Sequence, residues 1–124
     1  MIWETQKIFE DEEILVNPTC VRIPAFYGHS EAVHIETRSP VSPSEARNLL
    51  IDAPGVTLID IDHEDVFPTA VQHASGKDDV LVGRVRRDLS HENGLNLWVV
   101  SDNVRKGAAL NSIQIAEFLL KRLQ

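Results

Sequence analysis

The spacing of apolar and polar positions changes period several times along this chain, and each change marks an element. Residues 2–9 carry apolar side chains at helical spacing and read as the end of a helix; no capping residue stands before them. Residues 14–16 and 19–23 are rich in β-branched types and are broken by Asn17-Pro18, which reads as an interrupted strand. Residues 32–37 alternate apolar and polar, the pattern of a half-buried strand. Gly28, between these two strands, permits a backbone conformation that other residues resist.

The clearest local signal is Ser42-Pro43-Ser44-Glu45. Ser42 is placed as an N-cap, Pro43 as the first helical residue, and Glu45 at the third position, from which it can reach back to the cap amide. The helix that follows puts Ala46, Leu49 and Leu50 on one face, and Ala53-Pro54-Gly55 stops it. Residues 56–61 form a short apolar strand. Residues 80–85 and 95–100 form two more, joined through the polar stretch 88–94, which favours an antiparallel pair. A closing helix spans residues 104–123, with Ala109, Ile113, Ala116 and Leu120 at intervals of three and four. Strands outnumber helices and the links are short. The expected architecture is α+β: a mixed, largely antiparallel sheet with helices on one face.

Composition narrows the function classes. The chain has 124 residues, the size of one domain, and a hydrophobic fraction of 43%, enough for a core. Its net charge of −7 gives no electrostatic footprint for nucleic acid or for an anionic membrane. No apolar run approaches the roughly 18 residues of a membrane span. The amino terminus lacks the basic region and apolar run of a signal peptide. Cys20 is the single cysteine and cannot form an internal disulfide. A cytoplasmic location is the expectation.

Chemistry-bearing residues are densest between Thr19 and Glu31. On a strand, Cys20 and Arg22 would point to the same face. Arg22 offers a planar fork of donors suited to a carboxylate. His29 follows the glycine, and its imidazole could project into a cleft as a general acid or base. Two readings stand on the residues alone. In one, Cys20 and His29 are a nucleophile and its base. In the other, they are an inert buried cysteine and a turn histidine beside a salt-bridged arginine.

The run T-C-V-R-I-P-A-F-Y-G-H-S-E-A-V resembles the aspartate-semialdehyde dehydrogenases in their bacterial form. Three further stretches agree with that family, in order and with compatible spacing: W-E-T-Q-K-I-F near the start, P-T-A-V-Q-H-A-S-G-K-D-D-V-L-V-G-R-V-R-R-D in the middle, and S-D-N-V-R-K-G-A-A-L-N-S-I-Q-I-A-E near the end. The resemblance covers essentially the whole chain. It implies a fold like part of the carboxy-terminal domain of glyceraldehyde-3-phosphate dehydrogenase. It implies that His29 is the catalytic acid/base, that Arg22 binds the substrate carboxylate, and that Asn103 contacts NADP. It implies that Cys20 is not the nucleophile, which belongs to an earlier segment of the family, and is a small packed residue instead.

The implied reaction is reductive dephosphorylation of aspartyl 4-phosphate to the semialdehyde, in lysine, methionine and threonine biosynthesis. The cofactor would be NADP. Residues 1–124 would be the carboxy-terminal portion of the substrate and dimerisation domain. The closing helix, 104–123, would pack on the family's amino-terminal Rossmann domain. No G-x-G-x-x-G or similar loop occurs in this sequence. The phosphate-binding glutamate and lysine of the family precede the E-T-x-K-I segment, and Lys7 is not that lysine. The expectation is a fragment that is inactive alone. Its partners would be its own Rossmann domain, a small-molecule substrate, and further copies in a homo-oligomer.

Two other classes remain as alternatives: a non-catalytic domain binding a small carboxylate through Arg22, and an oligomerisation domain using an exposed sheet. The remaining features read as structural. Residues 60–65 gather oxygens and the His63 imidazole but nothing fixes four metal ligands, so no metal is expected and an acidic loop is the reading. His73 and His91 read as surface residues. Arg84, Arg86 and Arg87 read as a solvated or ion-paired face, and Trp98 as core or interface.

Overall fold

A computed structural model describes residues 1–59 and 66–123. The acidic cluster and the end of the strand expected at 56–61 therefore lie outside, or partly outside, the described residues. Four strands form one sheet: β1 (His29–Glu36), β2 (Val56–Leu58), β3 (Val80–Arg87) and β4 (Gly94–Ser101), in the order β1-β4-β3-β2. β4 pairs antiparallel with both β1 and β3, and β2 pairs parallel with β3. The expected hairpin of β3 and β4 is thus the centre of a mixed sheet. Three α-helices accompany it: α1 (Ile2–Phe9), α2 (Pro43–Ile51) and α3 (Leu110–Leu123).

α2 begins as its sequence dictates. The Ser42 hydroxyl accepts the Glu45 N–H at 3.2 Å, and the Glu45 carboxylate accepts the Ser42 N–H at 2.8 Å. This reciprocal box satisfies two donors that a helix start leaves unpaired. The helix lays Ala46 and Leu50 against Val82, Val85 and Leu95. Leu49, expected on the same face, is 69% exposed. The short helix presents only a narrow stripe to the sheet.

A bulge in β3 decides which of its residues reach that core. Gly83 pairs with Trp98, but Arg86 pairs with Asn96, so β3 spends one more residue than β4 over this step. Arg84 sits there with φ of 54°, in the left-handed region. The extra residue reverses the alternation. Val80 and Val82 before it, and Val85 after it, therefore share the α2 face. Leu81 faces the other way, with Val100, Trp98 and Ala74.

That second face is covered by a π-helical turn, Ala70–Ala74, and the strap before it. The Trp98 indole N–H donates to the Pro68 carbonyl at 2.8 Å, and Pro68 is fully buried. Gly83 is required beneath the strap, because a Cβ there would stand 2.6 Å from the Ile59 carbonyl oxygen and from Pro68 Cδ. His73, expected on the surface, is half-buried. Its Nδ1 accepts the Thr69 N–H at 3.0 Å.

Three further expectations are corrected. Residues 14–16 and 19–23 form no strand; the segment runs without a ladder, tied to α1 where the Gln6 amide donates to the Glu12 and Ile14 carbonyls, both at 3.0 Å. β-branched residues favour strands when a pleated surface is there to pack on, and here Leu15, Val21 and Ile23 are exposed. Cys20 and Arg22 hence share no strand face, and Cys20 is an exposed free thiol rather than a packed residue. The closing helix is also not continuous. Residues Arg105–Ala109 form a second π-helical turn, in which the Ala109 N–H reaches back five residues to the Val104 carbonyl at 3.1 Å, and α3 follows it.

Candidate functional site

β1 lies at an edge of the sheet, and α2 covers the opposite side, over β2 and β3. The start of β1 is therefore open. His29 opens the strand opposite Ser101 of β4. Its Nε2 lies 2.7 Å from Glu31 Oε1, with the two side chains 59% and 45% exposed. Residues two apart on a strand point to the same face. His29-Ser30-Glu31 thus carried the signal for this pair, and the sequence reading gave Glu31 no role. A carboxylate on one ring nitrogen fixes the orientation of an imidazole and leaves the other nitrogen for chemistry. Nδ1 of His29 has no partner among the described residues.

Asn103 is brought to the same place from the far end of the chain. It occupies the link between β4 and the second π-helical turn. Its Oδ1 accepts the backbone N–H of Gly28 at 2.7 Å. Gly28 has φ of +90°, a conformation that L side chains rarely adopt. His29 and Asn103, both singled out from the sequence, are thus joined through one glycine. The buried residue before Asn103, Asp102, accepts the N–H groups of Gly76 at 2.8 Å, Arg105 at 3.0 Å and Val104 at 2.8 Å. These donors hold its carboxyl below the usual aspartate range, Gly76 contributing most.

Arg22 stands apart. It lies in the extended segment before Gly28, exposed, and no hydrogen bond or ion pair engages its guanidinium among the described residues. Phe26 and Tyr27, between Arg22 and His29, are 93% and 58% exposed. Two arms of the site are therefore assembled and one is open. No group of three metal-ligating side chains occurs among the described residues.

This arrangement has counterparts in known proteins. Residues 1–106 match the model of the semialdehyde dehydrogenase dimerisation domain. The chain belongs to the semialdehyde dehydrogenase family. It is 59% identical over 119 residues to the aspartate-semialdehyde dehydrogenase of Legionella pneumophila, a match covering 96% of this chain and 34% of that protein. The Aquifex aeolicus enzyme is 54% identical over 121 residues, covering 98% of this chain and 35% of that protein. Among solved structures of the family, that of aspartate semialdehyde dehydrogenase II complexed with ASA from Vibrio cholerae aligns with a TM-score of 0.92 and 59% identity. That alignment covers 98% of this chain and 35% of the other. The Francisella tularensis enzyme keeps the fold at 29% identity, with a TM-score of 0.77 over 90% of this chain and 33% of the other. The chain spans about a third of the length of these family members.

Proposed function

We propose that this chain supplies the substrate-binding and dimerisation part of an NADP-dependent aspartate-semialdehyde dehydrogenase, working with a Rossmann domain and a second copy of itself. The observation that carries this reading is the identity of 59% to such enzymes over nearly the whole chain, with His29 held open at the edge of the sheet. The substrate is aspartyl 4-phosphate and the product its semialdehyde. The setting is cytoplasmic amino-acid biosynthesis.

Each residue has a part that its surroundings suit. Glu31 holds Nε2 of His29, so Nδ1 is the atom that takes and returns a proton as the acyl group changes. Arg22 presents two parallel N–H donors to the α-carboxylate of the substrate, which fixes the reacting end relative to His29. NADP fits what Asn103 leaves available: with Oδ1 occupied by Gly28, the Nδ2 donors remain for an acceptor on the cofactor. Bound NADPH supplies the hydride of the reduction.

The open guanidinium of Arg22, the free Nδ1 of His29 and the exposed aromatic segment between them suit closure by another chain or domain. The test is NADPH-dependent turnover. The full-length dehydrogenase carrying this chain is expected to be active and to lose at least about a hundredfold in kcat on His29→Asn. The 124-residue chain alone is expected to show none. Turnover by the chain alone, above its own His29→Asn control, would refute the division of labour.

A further inference from the structure

The link that carries Asn103 is among the most tightly held pieces of backbone near the site. Asp102 is 4% exposed, and its carboxylate takes three backbone N–H groups, two of them from the residues just after Asn103. A carboxylate bonded in this way leaves its neighbour little freedom. Asn103 therefore meets Gly28 from a fixed base. Gly28 is constrained from the other side as well. A Cβ on it would stand 2.5 Å from Ala70 Cβ, so the first π-helical turn closes off that direction. The residue after Gly28 is His29.

We propose that Asn103 is a positioning residue for His29: its side-chain carbonyl, clamping the Gly28 N–H against the Ala70 turn, sets where β1 begins and where the imidazole points. This deepens the reading of His29 as the acid/base group and rests on it. The polarity of the contact needs no assumption about amide orientation. The partner is a backbone N–H, so the atom facing it must be the acceptor, Oδ1. Any contact Asn103 makes with the cofactor is then made as a donor, through Nδ2. One side chain would couple the seating of the cofactor to the aim of the acid/base group.

Three substitutions separate this role from simple cofactor binding. Asn103→Ala and Asn103→Leu remove the acceptor, the second while keeping bulk. Asn103→Asp keeps an acceptor and removes the donors. Two readouts are taken: hydrogen exchange of the Gly28 amide by NMR in this chain, and the pH profile of kcat at saturating NADPH in the full-length dehydrogenase carrying it. With the acceptor gone, the Gly28 amide should exchange roughly five- to tenfold faster, the worth of a neutral hydrogen bond. The limb of the profile that His29→Asn abolishes should shift, and kcat should fall at least about tenfold as the imidazole is misplaced. Asn103→Asp should restore both readouts and raise only the KM for NADPH. If either acceptor-free variant folds and keeps wild-type Gly28 exchange, or keeps the wild-type profile and kcat while raising the KM for NADPH, the positioning role is overturned. If the exchange quickens but His29→Asn retains wild-type kcat, it is the acid/base reading of His29 that fails.

Discussion

The half of the sheet built from β2, β3 and β4 and the half built around β1 follow the same rules of alternation and end in opposite states. In the first, Leu81, Val82, Val85, Leu95 and Val100 are buried between α2 and the Ala70–Ala74 turn. In the second, seven of the eight residues of β1 are exposed, and α1, residues 12–27 and α3 hold large apolar side chains in solvent. Ile113, Ile115, Phe118, Leu119 and Leu120 are each more than half exposed. The surface area makes the same point. The chain exposes 9836 Å², where a compact monomer of its mass of 13.9 kDa would expose about 6,700 Å². The surplus of roughly 3,000 Å² on one chain is well above the ~800 Å² per partner that a standard interface covers. The closed half explains how the chain folds; the open half leaves a large apolar surface uncovered, and His29 and Arg22 lie on it, with Asn103 reaching it from the end of β4 through Gly28.

The sharpest test of this contrast is a pair of leucines. Leu95→Ala in the closed half removes a side chain that is 2% exposed and should cost about 3 kcal/mol of unfolding free energy, seen as a lower urea midpoint. Leu119→Ala in α3 should change stability by less than about 0.5 kcal/mol, yet weaken self-association in sedimentation run at several concentrations. Equal destabilisation by the two would mean that α3 packs within its own chain.

Next in size is Arg22→Lys, which asks whether the open half carries function only when covered. Stability of this chain should not move, because nothing among the described residues holds the guanidinium. In the full-length dehydrogenase carrying it, kcat/KM should fall by about ten- to a hundredfold, since lysine cannot reproduce a two-point grip on a carboxylate. Unchanged kinetics would remove Arg22 from the site.

Legibility in the sequence divides along the same line. The capping box and the β3–β4 pair were readable because each is specified by neighbours in sequence or by one period; the alternation at 32–37 also marked β1 as a strand, but not a half-buried one, since no residue of β1 is buried and seven of its eight are exposed. Residues 14–23 were misread for the converse reason: their β-branched side chains suit a packing surface that this chain does not contain. The bulge at Arg84 and the two π-helical turns were not readable, since a single inserted residue leaves composition and spacing nearly unchanged. Of the candidate site, His29 and Asn103 were singled out by resemblance, but the grip of Asn103 on Gly28 across 75 residues of chain was not readable. Ser42→Ala measures what a purely local signal is worth. It should cost about 1 kcal/mol, less than Leu95→Ala, and leave association untouched. A loss as large as that of the core leucine would mean that α2 anchors more of the closed half than its narrow stripe suggests.

The smallest expected effect is the response to acid, and it too separates the halves. In the closed half, three carboxyls are held below their ordinary range: Asp88 by the backbone N–H of Ser90 first, then by its hydroxyl and by His34; Asp102 by the N–H of Gly76 first; Glu45 by the Ser42 hydroxyl first. A folded-state pKa below the unfolded one means that the unfolded chain binds more protons in acid. The stabilisation is therefore fully present above the unfolded value, about 4 for these groups, and drains away as the pH falls through the depressed folded values. Melting temperature should accordingly be flat from neutrality down to about pH 5 and decline below about pH 4. Asp102→Asn should lower the plateau, because an amide keeps one acceptor oxygen where the carboxylate uses two, so either the Gly76 N–H or the Val104 and Arg105 N–H groups would face an NH2. It should also make the acid decline shallower, because one linked proton has been removed. In the open half Glu4 is also held below its ordinary range, by its hydrogen bond from the terminal ammonium first, but α3 substitutions such as Leu119→Ala touch none of these four carboxyls and should leave the slope unchanged. A slope equally steep with and without the Asp102 carboxylate would show that acid acts elsewhere than on the bracket that holds the site.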